Sequence, residues 1–185
     1  QTMKLEDFVS GEVGTVIKPT EQKYKKKLPV SFGPLTEKIV EQLRVLNKAI
    51  FPVRYNDKFY SDVLAAGHFA QLAYYSTDIL VGAACCRREE MEGGGARLYL
   101  MTIGVLAPYR SCGVGTALAE ALVETASKAA DVNEVYVHVQ SSNTKGQDFY
   151  TRLGFSVKET IANFYKDIDP PDCHVMVKTF DRSKT

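Results

Sequence analysis

Apolar residues recur at two periods along this chain, and the alternation between the periods sketches a layered domain. Leu35, Ile39, Val40, Leu43, Leu46 and Ile50 follow steps of three and four, which places them on one helical stripe. Thr36 is positioned to cap that helix, and Pro52 to end it. Phe59, Tyr60, Val63 and Leu64 predict a second, shorter helix, capped by Asn56 or Asp57 and closed by Gly67. Residues 70–75 and 79–87 read as two strands around the hairpin turn Ser76-Thr77-Asp78, and Val30-Ser31-Phe32 as a short strand ahead of the first helix. After the loop Met91-Glu92-Gly93-Gly94-Gly95 comes a long strand over 96–105. A helix over 113–130 carries Leu118, Leu122, Val123 and Ala126 on one stripe, and a strand over 134–140 follows it. A helix over 143–153 stops at Gly154, and strands over 155–161 and 173–180 complete the pattern. The order β-α-α-β-β-β-α-β-α-β-β predicts an α/β (α+β) chain, a mixed sheet with helices on its faces.

The first 28 residues lack such periodicity. Gly11, Gly14, Pro19 and the basic run Lys23, Lys25, Lys26, Lys27 predict a loosely ordered extension over 1–28, with at most an early strand at 13–17, ahead of one domain over 29–185. Composition changes the picture little: 45% hydrophobic and 24% charged residues suit a soluble domain with its own core. A net charge of +1 argues against wholesale binding to nucleic acid or to a membrane. There is no run of apolar residues long enough for a membrane span and no secretory leader pattern. Cys85, Cys86, Cys112 and Cys173 show neither C-x-x-C pairing nor framework spacing, so a reducing, cytoplasmic setting is expected.

Candidate chemistry concentrates where the long strand meets the third helix, at Arg110-Ser111-Cys112-Gly113-Val114-Gly115. Glycines allow backbone N–H groups to approach an anion closely, and the start of a helix presents such groups with about half a positive charge. Arg110 adds a cation. There is no G-x-x-x-x-G-K-[ST], so a P-loop is absent, and no G-x-G-x-x-G with a ribose-binding acid about 20 residues on, which disfavours a dinucleotide fold. The strand before this hexapeptide, its leading Arg110 and the amphipathic helix after it favour a coenzyme phosphate turn over a plain helix start, which glycines also make.

The same hexapeptide resembles the R/Q-x-x-G-x-G/A signature of the GCN5-related N-acetyltransferase superfamily. Phe51-Pro52-Val53-Arg54-Tyr55-Asn56-Asp57, Leu98-Tyr99-Leu100-Met101-Thr102, Leu106-Ala107-Pro108-Tyr109-Arg110, Tyr136-Val137-His138-Val139-Gln140 and Phe149-Tyr150 with Leu153-Gly154-Phe155 are similar to the N-alpha-acetyltransferase 50 family, over roughly residues 30–180. The resemblance implies a mixed, mostly antiparallel sheet flanked by helices, acetyl-CoA as co-substrate with no metal, and an enzyme acetylating the α-amine of protein N-termini that begin with methionine. It also implies NatA-type auxiliary and catalytic subunits near the ribosome as partners, and a cytoplasmic, or also nuclear, location.

Tyr99 and His138 are the catalytic candidates. Alternation puts Tyr99, Met101 and Ile103 on one face of their strand and Tyr136, His138 and Gln140 on one face of theirs. An amine must be neutral to attack a thioester; an α-amino group titrates at about 7.7–8.0 and a histidine at about 6.5, so histidine suits the task, while tyrosine at about 10 better orients a partner. On the residues alone His138 reads equally as a core histidine, and Tyr99 more readily as a buried tyrosine. In the family the matching pair orders a water that relays the proton.

For the coenzyme, the candidates are Ile103, Gly104 and Val105, with a backbone N–H for the oxyanion and a bulge permitted at the glycine, and then Arg110, Ser111, Cys112, Gly113, Val114, Gly115 and Thr116. Asn143 either reaches the coenzyme or caps its helix, and Tyr150 either donates to the departing sulfur or packs in the core. Phe51, Pro52 and Val53 resemble the pocket for the first substrate residue, with Tyr55 and Met101 against the peptide. Phe164 and Tyr165 resemble a loop that closes over it. Cys173-His174 lacks the neighbours a metal set needs. Two other functions compete: acetyl transfer to lysine or small amines, and a weakly active acetyl-CoA-binding subunit of a NatA-type complex.

Overall fold

The computed structural model describes residues 27–166 and 169–181. The strand anticipated at 13–17 lies outside them. β1 (Val30–Pro34) leads into α1 (Val40–Ile50) and α2 (Asp57–Ala65), followed by β2 (Gln71–Tyr75), β3 (Ile79–Glu90) and β4 (Ala96–Val105). Then come α3 (Val114–Lys128), β5 (Val132–Gln140), α4 (Thr144–Arg152), β6 (Ser156–Ile161) and β7 (Cys173–Thr179). The strands form one mixed sheet in the order β1-β2-β3-β4-β5-β7-β6. No described helix is long and apolar enough to cross a membrane.

Two compact units divide the chain: the part through Arg87 with Thr102–Leu122, and Arg88–Met101 with the part from Val123 onward. In the first, β1 and β2 pair antiparallel, as do β2 and β3, and from Val81 to Arg87 β3 is buried on both faces. Cys85 and Cys86 point to opposite faces and are both fully enclosed; burial pushes the Cys85 thiol up to about 12. α1 starts later than its apolar stripe suggests. Glu37–Ile39 form a tighter 3-10 turn, and the Ile39 N–H donates to the backbone carbonyl of Thr36, whose side chain caps nothing. At α2 the expectation resolves to Asn56, whose Oδ1 accepts from the Phe59 N–H at 3.1 Å. Such a cap contributes about 1 kcal/mol.

In the second unit β4 and β5 pair in parallel from Ala96 opposite Val132 to Tyr99 opposite Tyr136, with one irregularity between Ala96 and Arg97. On its other edge β5 pairs antiparallel with β7, from Glu134–Thr179 to Gln140–Cys173. β7 in turn carries β6, a mostly exposed edge strand. The last strand in sequence thus lies between two earlier ones.

Candidate active site

In the first unit the phosphate turn is built by backbone conformation. A short turn over Ala107–Tyr109 delivers Arg110, and Ser111 and Gly113 then both adopt left-handed dihedrals, φ 59° and 81°. Gly113 is therefore required by conformation, while Ser111 accepts a dihedral that L side chains seldom take. Gly115 differs from expectation. It sits in the helix, and a side-chain carbon added there would meet Val105 at 3.8 Å, an ordinary contact. No packing contact within the protein requires a glycine at that position.

Cys112 is buried, its Sγ directed at the Arg110 carbonyl at 3.4 Å, whereas Ser111, Gly113 and Thr116 are exposed. A cavity of about 300 Å3 opens against the turn and the first part of α3, with Ser111, Cys112, Gly113 and Thr116 in its wall. A helix start beside an open cavity is an arrangement that suits a phosphate group. Arg110 is exposed, and its Nε donates to the Val105 carbonyl at 2.9 Å, which ties the guanidinium to the end of β4. Val114 is buried at the first position of α3 and anchors the helix from below.

The Phe51-Pro52-Val53 segment belongs to the same unit. Phe51 caps α1, its N–H donating to the Asn47 carbonyl at 2.9 Å; Phe51 and Val53 are half-buried and Pro52 is exposed. A side-chain carbon on Gly104 would lie 2.7 Å from Ile50 Cγ2 and 2.8 Å from Phe51 Cζ. Gly104 is thus a close-packing glycine: it admits the Phe51 ring against β4. Ile103 and Val105 on either side are half-buried. Tyr55 is buried, its ring 5.8 Å from Phe51 edge-on and stacked on Phe59 at 4.2 Å. Burial raises its phenol far above the ordinary tyrosine range, so it stays protonated.

In the second unit side chains make the site. Tyr99 and His138, 39 positions apart, come within 3.0 Å, hydroxyl to Nδ1. Tyr99 is almost wholly buried and His138 half-buried. Tyr136 stacks on Tyr99 at 4.8 Å and meets His138 edge-on at 5.7 Å. The Tyr136 hydroxyl donates to Glu89 Oε2 at 2.9 Å, which also accepts from Arg97 Nε at 2.9 Å, and the Arg97 guanidinium lies 4.7 Å over the Tyr136 ring. Sequence reasoning missed Glu89 and Arg97. The signal available was Tyr136 sharing a face with His138, but an acid on another strand has no local spacing rule.

Phe164, expected in the loop over the peptide, packs against His138. It is 3% exposed and stacks flat on the His138 imidazole at 4.6 Å. Tyr165, half-buried, meets Phe164 edge-on at 5.0 Å, and its N–H donates to the Pro171 carbonyl. Phe164 therefore holds the histidine, and Tyr165 is the outer of the two rings. Met101 is buried.

Asn143 resolves toward capping: its Oδ1 accepts from the Gly146 N–H at 2.9 Å. A side-chain carbon on Gly146 would fall 2.6 Å from the Asn143 amide, so that glycine makes room for the cap. Tyr150 is buried between Phe149 and Phe155, and burial raises its phenol well above the usual range. His174 meets Thr160, Nδ1 to Oγ1 at 2.8 Å, and Cys173 is enclosed in the strand packing.

Residues 40–155 match the family model described as Acetyltransferase (GNAT) family. A probable N-acetyltransferase, san, of Drosophila melanogaster is 45% identical over 154 residues, which cover 83% of this chain and 83% of that protein. N-alpha-acetyltransferase 50 of Danio rerio is 46% identical over 150 residues, 81% of this chain and 88% of its own. Among solved structures, Arabidopsis thaliana Naa50 in complex with the bisubstrate analogue CoA-Ac-MVNAL superposes with a TM-score of 0.73 at 48% identity, over 82% of this chain and 99% of that one.

Proposed function

We propose that this chain, which belongs to the Acetyltransferase (GNAT) family and within it to the N-alpha-acetyltransferase 50 family, moves acetyl from acetyl-CoA to the α-amine of protein N-termini that begin with methionine. The observation that carries the reading is the 3.0 Å contact between the Tyr99 hydroxyl and His138 Nδ1. A neutral imidazole has one donor and one acceptor nitrogen. With Nδ1–H assigned to donate to Tyr99, Nε2 carries the lone pair that takes a proton. Support for the donor and the acceptor comes from the Arabidopsis relative, whose bound analogue joins coenzyme A to a peptide beginning Met-Val.

The chemistry is direct transfer. The neutral amine nitrogen attacks the thioester carbonyl carbon, the bond from that carbon to sulfur breaks, and the amine proton passes to His138. Coenzyme A leaves as a thiolate that takes its proton from solvent, and the Tyr150 hydroxyl, kept protonated by burial, is assigned to donate a hydrogen bond to the departing sulfur. The turn at 110–116 binds the coenzyme phosphates. The apolar surface of Phe51, Pro52 and Val53 receives the methionine side chain, whose burial contributes about 1.5–3 kcal/mol.

The proposal extends to a cytoplasmic, or also nuclear, location, supported by four buried cysteines that form no disulfide among the described residues. Association with NatA-type subunits near the ribosome belongs to it too, on the strength of the family resemblance. The test is to incubate the full chain with acetyl-CoA and a peptide beginning Met-Val, and to locate the acetyl group by mass spectrometry. Acetyl on the α-amine is expected. No turnover, or acetyl on lysine side chains alone, overturns the reading.

A further inference from the structure

The cavity on the phosphate turn has one wall that does not come from the turn or from α3: the side chain of Lys27. The main chain brings it there. The Leu28 N–H donates to the Cys112 carbonyl at 2.9 Å, so the residue after the lysine is pinned to the middle of the turn. The lysine stem lies along the turn glycine, its Cγ 3.4 Å from where a side-chain carbon on Gly113 would stand. Lys27 is exposed and lies upstream of residues 40–155, which match the acetyltransferase family.

The charges around the cavity show what this lysine is suited to. Glu120, one face along α3, is the acid in the cavity wall and opposes any phosphate placed there. Arg110, the cation that the turn itself supplies, has its Nε engaged with the Val105 carbonyl. A lysine ammonium offers three donors and no acceptor, on a stem that can follow a phosphate. Beside exposed helix N–H groups it answers the charge of Glu120 and adds a point cation.

We propose that Lys27 is a ligand for a phosphate of coenzyme A, supplied by the segment ahead of the acetyltransferase core. The inference rests on the coenzyme reading above. Coenzyme A offers two such groups, the pyrophosphate and the 3′-phosphate, and the chemistry of recognition is the same for both.

The test is equilibrium titration of the full chain with coenzyme A and with 3′-dephospho-coenzyme A, for the unchanged protein, Lys27→Gln and Lys27→Arg. Lys27→Gln is expected to weaken coenzyme A about five- to tenfold, in the range of one net hydrogen bond made by an exposed group, while kcat at saturating acetyl-CoA holds. Lys27→Arg should stay within about twofold, and the loss in Lys27→Gln should shrink at about 0.5 M salt. An equal loss with the dephospho form assigns the lysine to the pyrophosphate; a dephospho form indifferent to the substitution assigns it to the 3′-phosphate. Lys27→Gln binding coenzyme A as well as the unchanged protein, or more tightly, overturns the proposal alone, as does an equal loss in Lys27→Arg. Failure of the unchanged protein to bind coenzyme A overturns the coenzyme reading and this proposal with it.

Discussion

The phosphate turn and the Tyr99–His138 cluster are built from different materials. The turn is main chain: two left-handed residues, a helix start and a buried Cys112 whose Sγ meets the Arg110 carbonyl. The cluster is side chain: one hydrogen bond between Tyr99 and His138, with Tyr136 and Phe164 packed on the two rings and Glu89 holding Tyr136 in turn. A site made of backbone is indifferent to most side chains and sensitive to conformation. A site made of side chains is sensitive to single atoms, because each ring is fixed by the next.

That contrast can be broken most directly at His138. His138→Ala removes the proposed base and is expected to lower kcat by about 100-fold or more, as loss of general-base catalysis does. Binding of coenzyme A, read by titration, should not change. A second variant set sharpens the other side. Gly113→Ala places a side chain at φ 81° and should cost about 1–3 kcal/mol of strain, visible as a lower midpoint in urea. Gly115→Ala meets nothing nearer than 3.8 Å, so its midpoint should hold. Its KM for acetyl-CoA should nonetheless rise about tenfold, equivalent to about 1.4 kcal/mol. A Gly115→Ala protein with unchanged KM would mean that the glycine leaves space for no ligand. The smallest effect is expected at Tyr136→Phe, which keeps the stack on Tyr99 and deletes the bond to Glu89. The net loss should be about 1 kcal/mol of stability, with a fewfold fall in kcat and no change in acetyl-CoA KM. A fall in coenzyme affinity instead would show that the two regions are not chemically separate.

The backbone-made region was also the more legible one. Strand β4 is bounded at 96 and 105, as its pattern of residues predicts, and the turn follows where glycine spacing places it. Asn56 and Asn143 act as caps because capping is local: the acceptor and the N–H lie three residues apart. Left-handed Ser111 escaped notice since serine carries no conformational signature of that kind. Other features depend on residues far apart in sequence. The insertion of β7 between β5 and β6 follows from pairing alone, and no residue of β7 announces it. Phe164 looks like a surface aromatic until the imidazole it covers is in place. Glu89 and Arg97 meet Tyr136 from other strands, where the periodicity of each strand says nothing of its neighbours.

Gly104 has a consequence for anyone wishing to change what this protein acts on. Its missing side chain is the recess that receives the Phe51 ring and Ile50. The apolar segment after α1 and the end of β4 are therefore a matched pair, like a plug and its socket. A segment transplanted from another acetyltransferase would arrive with a plug cut for a different strand. Exchange of acceptor preference should succeed when residues 50–55 and 103–105 travel together, and a graft of the first stretch alone should leave a stranger's aromatic ring with nowhere to lie.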